Sequence, residues 1–376
     1  MKVAITCDWL NQFGGAERVL VELHAMFPNA PIYTTVYEPS RLPAEMRTWD
    51  VRPSFLQRIP FARRHHQPFF SLMPLAFEQF DMSEYDLVIT TSSACAKGVI
   101  TRPGALNLCY CYTPCRYLWD SYHEYTGGSR LLPLIAPVAH RMRTWDQLSS
   151  QRVDHFVAIS HDVAARIRHH YRRDAEVIYP PVDIDRFTPS NRVEDFYLVV
   201  ARLVPYKRID LAITAANRLR RRLIVVGDGP QRKELEAMSG PTVQFLGKRS
   251  DEEVADLYAR CRAFIFPGLD DFGIAPVEAQ AAGRPVIAFA RGGATETVVH
   301  GATGLLFDEQ NEDSLIQSLD ELDGTAIDSS LCRRNAERFD RREFCQRFQA
   351  MVSRHHGAAK RGERAAQVRN ALLDLA

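Results

Sequence analysis

The chain lacks a long apolar segment and an excess of either charge. No apolar run approaches the roughly 20 residues that a membrane-spanning helix needs, which argues against an integral membrane segment in this sequence. Its 47 Lys and Arg residues balance 46 Asp and Glu residues, for a formal net charge of +1. No global field therefore favours nucleic acid as a partner, and any anion site must be local. The opening MKVAITCDWL lacks the charged and apolar regions of a signal peptide, so we expect a cytoplasmic protein.

The sequence also lacks the residue spacings of a metal or dinucleotide site. Eight cysteines are present, and we expect them to be reduced in the cytoplasm. Cys109, Cys111 and Cys115 lie close together, but they form no C-x2-C pair, and alternate strand residues converge poorly on one ion. Gly14 and Gly15 do not belong to a G-x-G-x-x-G fingerprint. We therefore predict neither a bound metal nor a cofactor.

What the sequence does contain is a regular alternation of short apolar runs and helical patterns. A chain of 376 residues suits two domains. The runs that read as buried parallel strands are Val3–Thr6, Leu87–Thr90, Leu108–Tyr112 and Phe156–Ile159, then Tyr197–Ala201, Leu223–Gly227, Val243–Gly247, Ala263–Pro267 and Val286–Ala290. Helices are predicted between them, including Ala16–Met26 and Asp162–Tyr171, the second capped by Ser160. This alternation predicts two doubly wound α/β domains that face each other across a cleft, with ligands beyond the carboxyl ends of the strands.

The proline-rich segment YPPVDIDRFTP, Tyr179–Pro189, predicts an extended linker. We place the first domain at residues 1–180 and the second at residues 190–340. A C-terminal helix from residue 341 would return to the first domain, and a polar tail would end the chain at 376. Asp183 and Asp185 form a D-x-D pattern, but their position after two prolines favours turn chemistry over a metal site.

The most informative stretch is PGLDDFGIAPVEAQAAGRPVIA, Pro267–Ala288. It predicts a strand end, an acidic loop and the first turns of a helix. Gly273 would let the backbone approach a ligand closely, and the free N–H groups of the helix would suit a phosphate. Glu278, a few residues into the helix, could accept hydrogen bonds from ribose, and Asp270 would face the sugar.

This stretch resembles the E-x7-E region of the family 4 retaining glycosyltransferases, which have the GT-B fold. The resemblance covers nearly the whole chain. It implies that the domain at 1–180 binds the acceptor and that the domain at 190–340 binds the nucleotide sugar. It implies that Glu278 binds ribose and that Asp270 occupies the position of the first glutamate, one methylene shorter here. Phe272, Gly273 and Ile274 of the same run are then donor-binding residues. The most similar-looking relatives are mannosyltransferases of lipopolysaccharide and exopolysaccharide assembly.

A pair of cations, Arg202 and Lys207 in ARLVPYKRID, follows the first strand of the second half. Two cations that converge on a diphosphate neutralise leaving-group charge when a glycosidic bond breaks. The spacing is similar to the family's R-x4-K diphosphate clamp. The GDGP and FLGKRSDEEV motifs place Gly227 and Gly247 in tight loops at strand ends, where base and phosphate would lie.

In the first half, Gly14 and Gly15 open the first helix and would let the loop pass close to the donor phosphate. The resemblance places Glu17 in the acceptor site. Tyr112 in CYCYTPCRYLWD stands where relatives carry a histidine that contacts the donor sugar. A phenol can hydrogen-bond a sugar but is a poor base. Arg116 and Trp119 of the same run are either acceptor contacts or packing residues.

Residues 51–77 contain no Asp or Glu. They carry a basic set interleaved with phenylalanines, namely Arg52, Arg58, Arg63, Arg64, His65 and His66 with Phe55, Phe61, Phe69, Phe70 and Phe77. We interpret this segment as a peripheral contact with the inner face of the membrane, near a lipid-diphosphate acceptor. Ordinary core packing of the phenylalanines is the alternative.

These patterns together predict a metal-independent, retaining hexosyltransferase. It would move a sugar, with GDP-mannose as the preferred donor, onto a lipid-linked or polysaccharide acceptor in surface glycan biosynthesis. Two alternatives stay open: a GT-B-fold sugar-nucleotide epimerase, and a non-catalytic subunit that binds nucleotide sugar beside another transferase.

Overall fold

The computed structural model describes residues 1–127 and 132–356, which form two compact units. The first unit is Met1–Ile178 together with the chain from Cys345 onward, and the second is Tyr179–Phe344. The tail predicted beyond residue 356 lies outside the described residues. None of the described helices combines the length and the apolar content needed to span a membrane.

The first unit is built on a seven-stranded parallel sheet of order β3-β2-β1-β4-β5-β6-β7. Its strands are β1 Val3–Cys7, β2 Ile32–Thr34, β3 Val51–Pro53, β4 Leu87–Ser92, β5 Leu106–Cys111, β6 His155–Ala158 and β7 Ala175–Val177. Its helices are α1 Gly15–Met26, α2 Met73–Glu78, α3 Tyr122–Thr126, α4 Leu132–Ser150 and α5 His161–Tyr171. Every residue of the central strands β4 and β5 is buried, as expected for a parallel sheet with both faces covered.

A side-chain hydrogen bond fixes the start of α5. The predicted cap of α5 is confirmed, because the Ser160 hydroxyl accepts the backbone N–H of Val163 at 3.1 Å. A helix over residues 341–356 closes the described chain. Within the first unit its Phe348 ring lies 6.2 Å from the Tyr110 ring, and Arg354 pairs with Glu176 at 3.2 Å.

The second unit has a six-stranded parallel sheet of order β10-β9-β8-β11-β12-β13. Its strands are β8 Tyr197–Val200, β9 Leu223–Val226, β10 Val243–Gly247, β11 Ala263–Phe266, β12 Val286–Phe289 and β13 Gly304–Phe307. Its helices are α6 Ile209–Leu219, α7 Arg232–Ala237, α8 Asp251–Arg260, α9 Ile274–Ala281, α10 Ala294–Thr297, α11 Glu312–Gly324 and α12 Ser329–Glu337. The core lies between the sheet and its helices, with α6 packed on α11 and α9 on α12.

The predicted linker is instead part of the second unit's packing. Ile184 begins a 3-10 turn, Ile184–Arg186, and is buried together with Val182 and Phe187. Arg333 donates from one guanidinium nitrogen to the carbonyls of Ile184 and Phe187. These residues of the predicted linker are therefore packed within the second unit, because their apolar side chains have a core to enter.

Residues 51–77 are also more fully packed than their composition suggested. Phe77 is completely buried, and Phe55, Phe69 and Phe70 pack against the first unit's core. Phe61 is the exception, with 80% of its surface exposed and a left-handed backbone (φ +66°). Most of the phenylalanines that were predicted to contact the membrane therefore lie in the core or pack against it.

Candidate functional site

Three loops of the second unit meet at the carboxyl edge of its sheet. They follow β8, β11 and β12, which are neighbours in the sheet. A Cβ atom added to Gly268 would lie 2.7 Å from the Cα of Lys207, so the first two loops are in backbone contact. A Cβ atom on Gly293 would lie 2.2 Å from the Cα of Phe272, so the third loop is equally close. Glycine at these positions allows the loops to assemble.

An ion pair joins the first two loops. The Lys207 ammonium donates a hydrogen bond to an Asp270 carboxylate oxygen. The two side chains are 16% and 18% exposed, so water screens their attraction only partly. The ammonium also lies 5.4 Å from the centre of the Tyr206 ring and 5.5 Å from that of Phe266. The predicted sugar-facing carboxylate and the predicted phosphate-binding cation are thus in direct contact.

Arg202, the other predicted phosphate-binding cation, lies in the loop that follows β8. Its side chain is exposed, and it has no hydrogen-bond or ion-pair partner among the described residues. A guanidinium in this state can bind an anion without first giving up a protein partner. The loop therefore offers one cation that is already paired and one that is available.

The loop after β11 leads into α9, and the start of this helix is a further part of the site. Gly273 is the N-cap residue and has a left-handed backbone, with φ +84°. A side chain there would be strained, and its Cβ would lie 3.2 Å from the Phe266 ring. No side chain caps the helix, so its first N–H groups keep their capacity to bind an anion. Ile274, the first helical residue, is half-buried.

Glu278 lies one turn further along α9 and is half-buried. The Tyr258 hydroxyl, on α8, donates to its Oε2 atom at 3.4 Å. Tyr258 is completely buried, and its ring packs between Phe187 and Phe264. Sequence reasoning missed Tyr258, although its place on the apolar face of the helix after the FLGKRSDEEV motif was a usable signal.

Some predicted donor-binding residues support the loops and do not present a side chain to a ligand. Phe272 is 3% exposed and packs against Tyr179 and Phe339, so only its backbone can reach a donor. Gly227 has φ +128°, and its Cβ would lie 1.9 Å from the Ala201 carbonyl oxygen, so packing on the Arg202 loop explains this glycine. Gly247 ends β10 with φ +70° and would place a Cβ atom 3.3 Å from the Arg232 side chain.

In the first unit, Glu17 lines a small cavity of about 110 Å³ at the carboxyl edge of the sheet. Gly14 is the N-cap of α1, Gly15 begins the helix, and Glu17 is its third residue. The Glu17 carboxylate accepts the backbone N–H of Gly14, which is one half of a capping box. Burial raises the pKa of Glu17 to about 7. A structural capping function therefore explains Glu17 without a ligand.

Tyr112 lines the same cavity, but its hydroxyl donates to the Ala16 carbonyl at 2.8 Å. Burial raises its pKa well above the usual value, so the phenol stays protonated. The proton that could have been donated to a sugar is thus bonded within the protein, which removes the main argument for the predicted sugar contact.

Trp119 belongs to a buried polar cluster centred on Asp146. That carboxylate accepts from the Trp119 indole at 2.7 Å and from the Tyr171 hydroxyl at 2.9 Å, and it pairs with the Lys97 ammonium. The packing alternative therefore explains Trp119. Arg116 is half-buried in the loop that follows β5.

A second buried carboxylate, Asp8, organises the turn after β4. It accepts backbone N–H groups from residues 93–96 at 2.6–2.9 Å and the Ser93 hydroxyl at 3.2 Å. Sequence reasoning missed Asp8 because its partners lie about 85 residues away. Among the described residues, no three His, Cys, Asp or Glu side chains are grouped as metal ligands.

Two family models match the chain in succession. One is described as Glycosyltransferase Family 4 and matches residues 13–186, and one is described as Glycosyl transferases group 1 and matches residues 183–338. A GDP-mannose-dependent alpha-(1-6)-phosphatidylinositol monomannoside mannosyltransferase of Mycobacterium tuberculosis is 31% identical over 234 residues. That alignment covers 54% of this chain and 59% of the relative, which is less than two thirds of the relative's length.

Solved structures share the fold over most of the chain. Anabaena Alr3699/HepE in complex with UDP gives a TM-score of 0.70 at 20% identity and covers 94% of this chain and 100% of that chain. Sucrose-phosphate synthase from Thermosynechococcus elongatus gives 0.73 at 17% identity and covers 95% and 100%. The predicted α/β GT-B fold, with two Rossmann-like units, is confirmed. The chain belongs to the family 4 glycosyltransferases and resembles their mannosyltransferase members.

Proposed function

We propose that this protein is a retaining, metal-independent hexosyltransferase that uses a nucleotide diphosphate sugar, with mannose from GDP-mannose as the first donor to test. Its acceptor would be a lipid-linked or polysaccharide glycan in surface glycan assembly. The observation that carries the proposal is the Lys207–Asp270 ion pair at the edge where α9 begins, together with Arg202, whose side chain has no partner within residues 1–127 and 132–356. The choice of GDP-mannose rests on the similarity to the GDP-mannose-dependent mannosyltransferase of Mycobacterium tuberculosis.

The two cations suit a reaction in which a diphosphate leaves. As the bond between sugar and phosphate breaks, negative charge accumulates on the phosphate oxygens. Arg202 can bind two of these oxygens at once, whereas Lys207 acts as a point charge. The N–H groups at the start of α9 add a fixed positive dipole end. Such stabilisation is strongest where the groups are already oriented, as the glycine-packed loops favour.

The Lys207–Asp270 pair gives the site a way to exchange partners. In the free protein Asp270 neutralises the ammonium. A bound diphosphate would compete for the ammonium, and the Asp270 carboxylate would then be available to accept a sugar hydroxyl. Because Asp is one methylene shorter than Glu, this pair holds the carboxylate close to the Lys207 loop. Glu278, oriented by Tyr258, is proposed to bind the ribose hydroxyls.

Retention of the anomeric configuration fits a front-face reaction. In that reaction the leaving phosphate oxygen takes the proton of the acceptor hydroxyl, so the protein need not supply a base. The protonated Tyr112, bonded to Ala16, is consistent with this scheme.

A peripheral membrane contact would use the exposed Phe61 and its basic neighbours Arg63, Arg64 and His65. Binding to vesicles of anionic lipid at low salt, absent in Phe61→Ser, tests that contact.

The function is tested by a donor screen followed by a turnover assay. We expect GDP-mannose or another GDP- or UDP-sugar to raise the thermal unfolding temperature of the wild-type protein. The same donor should then be hydrolysed slowly, or transferred to a lipid-linked acceptor, with no loss of rate in EDTA. A product of inverted configuration, or activity abolished by EDTA and restored by Mg²⁺, would contradict the proposal.

The second candidate is a non-catalytic subunit that binds nucleotide sugar beside another transferase. The bonding of Tyr112 to Ala16 favours it, because the hydroxyl that the family resemblance would direct to the sugar is bonded within the protein. Donor binding without hydrolysis or transfer, across a panel of acceptors, would support this candidate. Turnover by the purified chain alone would exclude it.

A further inference from the structure

An apolar cavity of about 440 Å³ lies in the first unit, apart from the loops described above. Four segments line it: the loop after β1 with Trp9, the 3-10 turn Gln67–Leu72 with Phe70, residues 117–126 with Leu118 and Tyr122, and α4 with Leu134, Val138 and Met142. Leu134 is 73% exposed and Val138 46% exposed. Two apolar side chains on adjacent turns of one helix are thus left in water beside an apolar cavity.

The wall on the β1 side is neutral as well as apolar. His66 stacks on Trp9 with ring centres 4.1 Å apart. Asn11 bonds to the His66 Nδ1 atom at 3.0 Å, and burial lowers the pKa of His66 to about 4, so the ring is uncharged near neutral pH. An occupant of this cavity would therefore meet hydrocarbon and neutral rings and no charge.

Cations lie immediately outside this wall. Asn11 also donates to the Arg63 carbonyl at 2.8 Å, which ties the turn before His66 to the loop after β1. Arg63, Arg64 and His65 are exposed on that turn. Arg64 lies 3.8 Å from Glu38, whereas Arg63 has no ion-pair partner among the described residues. An apolar cavity with a basic edge is complementary to a hydrocarbon chain that carries an anionic group.

Trp9 also connects this cavity with the sheet edge. It is a wall of both the apolar cavity and the small cavity that Glu17 and Ser93 also line. This small cavity lies at the carboxyl ends of β1, β4 and β5, the edge at which parallel α/β sheets bind ligands. A hydrocarbon chain held against Trp9 would leave the polar end of the same ligand beside that edge.

We propose that the apolar cavity binds the hydrocarbon chain of the acceptor's lipid anchor, with the anchor phosphate at the basic turn that contains Arg63. This inference rests on the proposed transferase function and names the part of the acceptor that the first unit recognises. The hydrocarbon chain supplies the affinity, and the basic turn fixes the direction in which the anchor lies. The glycan end of the acceptor is then presented at the sheet edge.

The test uses dodecyl phosphate, below its micelle concentration, with the full-length protein. Binding is measured by calorimetry and by the change in Trp9 fluorescence, which is assigned with Trp9→Phe. Ethyl phosphate and inorganic phosphate supply the anion without the chain, and dodecanol supplies the chain without the anion. We expect dodecyl phosphate to bind at least about tenfold more tightly than ethyl phosphate or dodecanol, and Arg63→Ala to weaken only the charged ligand.

A matched pair of variants places a charge on α4. Val138→Asp puts a carboxylate at the cavity, whereas Leu148→Asp puts one on the same helix at an exposed position that does not line it. Both sites are exposed, so both variants should fold. We expect Val138→Asp to lose at least about tenfold in dodecyl phosphate affinity, and Leu148→Asp to bind as the wild type does.

Equal binding by both Asp variants, or equal affinity for ethyl and dodecyl phosphate, would overturn the inference. So would Val138-dependent binding of an amphipathic helical peptide in the absence of alkyl phosphate binding, which would make this a protein-docking groove. The donor screen separates this result from the proposed function. Thermal stabilisation by nucleotide sugar should be unchanged in Val138→Asp. Failure of the wild type to bind dodecyl phosphate, with stabilisation by nucleotide sugar intact, would refute only the cavity assignment.

Discussion

Replacement of Lys207 by alanine removes one of the two cations that we propose to bind the diphosphate. It also removes the ion-pair partner of Asp270. Asp270 loses its partner while it remains only 18% exposed, so the free protein retains a poorly solvated carboxylate near the phosphate position. Loss of one oriented donor to developing charge typically costs about 2.7–4 kcal/mol, or roughly 10²–10³ in turnover. Because Arg202 remains, we expect a decrease of at least about tenfold, or about 1.4 kcal/mol.

The assay is the steady-state release of nucleoside diphosphate with the donor identified in the screen. Lys233→Ala, which removes an exposed lysine of α7, is the matched control and should retain wild-type turnover. Lys207→Ala/Asp270→Asn, compared with the two single substitutions, measures the coupling between the two side chains. Wild-type turnover in Lys207→Ala, together with wild-type turnover in Glu278→Ala, would refute the assignment of this site.

Three other substitutions test separate structural observations. Tyr258→Phe removes the donor to Glu278 and should raise the donor KM about three- to tenfold with kcat and Tm nearly unchanged; an altered kcat alone would contradict the positioning function. Glu17 has a pKa of about 7 when folded against 4.5 unfolded, so its carboxyl opposes folding increasingly as the pH rises from 4.5 to 7. Glu17→Gln should therefore gain roughly 1–3 kcal/mol over the wild type at pH 8 but little at pH 4, measured by urea unfolding; the same difference at both pH values would refute this. Asp8→Asn turns an amide donor toward backbone N–H groups and should lower the free energy of unfolding by about 3 kcal/mol or more; a loss below about 1 kcal/mol would show that the turn does not depend on the carboxylate.

Much of the fold could be predicted because each central strand carries its own apolar run. β4, β5, β9 and β12 are buried along their whole length, so the sequence within each one identifies it. The strands that were not predicted are β2, β3 and β7, with three residues each, and β13, with four residues that begin at Gly304. A run of three residues has little periodicity of its own, and its pairing with a neighbouring strand defines it.

The candidate site was predictable to the extent that its chemistry is local. Arg202, Lys207 and Asp270 follow predicted strands, so their placement at one sheet edge follows from the alternation of strands and helices. The partners of Tyr112 and Asp8 were not predictable in this way, because Ala16 and Ser93 are distant in sequence. The hydrogen bonds made by the Tyr112 hydroxyl and by the Asp8 carboxylate depend on tertiary contacts that no local pattern encodes.

The preference of the protein for GDP over GMP tests the proposed diphosphate site most directly. Calorimetry on the wild type, Arg202→Ala and Lys207→Ala would give this preference as a ratio of dissociation constants. We expect GDP to bind the wild type at least about tenfold more tightly than GMP, and each substitution to remove most of that ratio while GMP affinity changes little. An unchanged ratio in both variants would contradict the assignment of these two cations to the diphosphate.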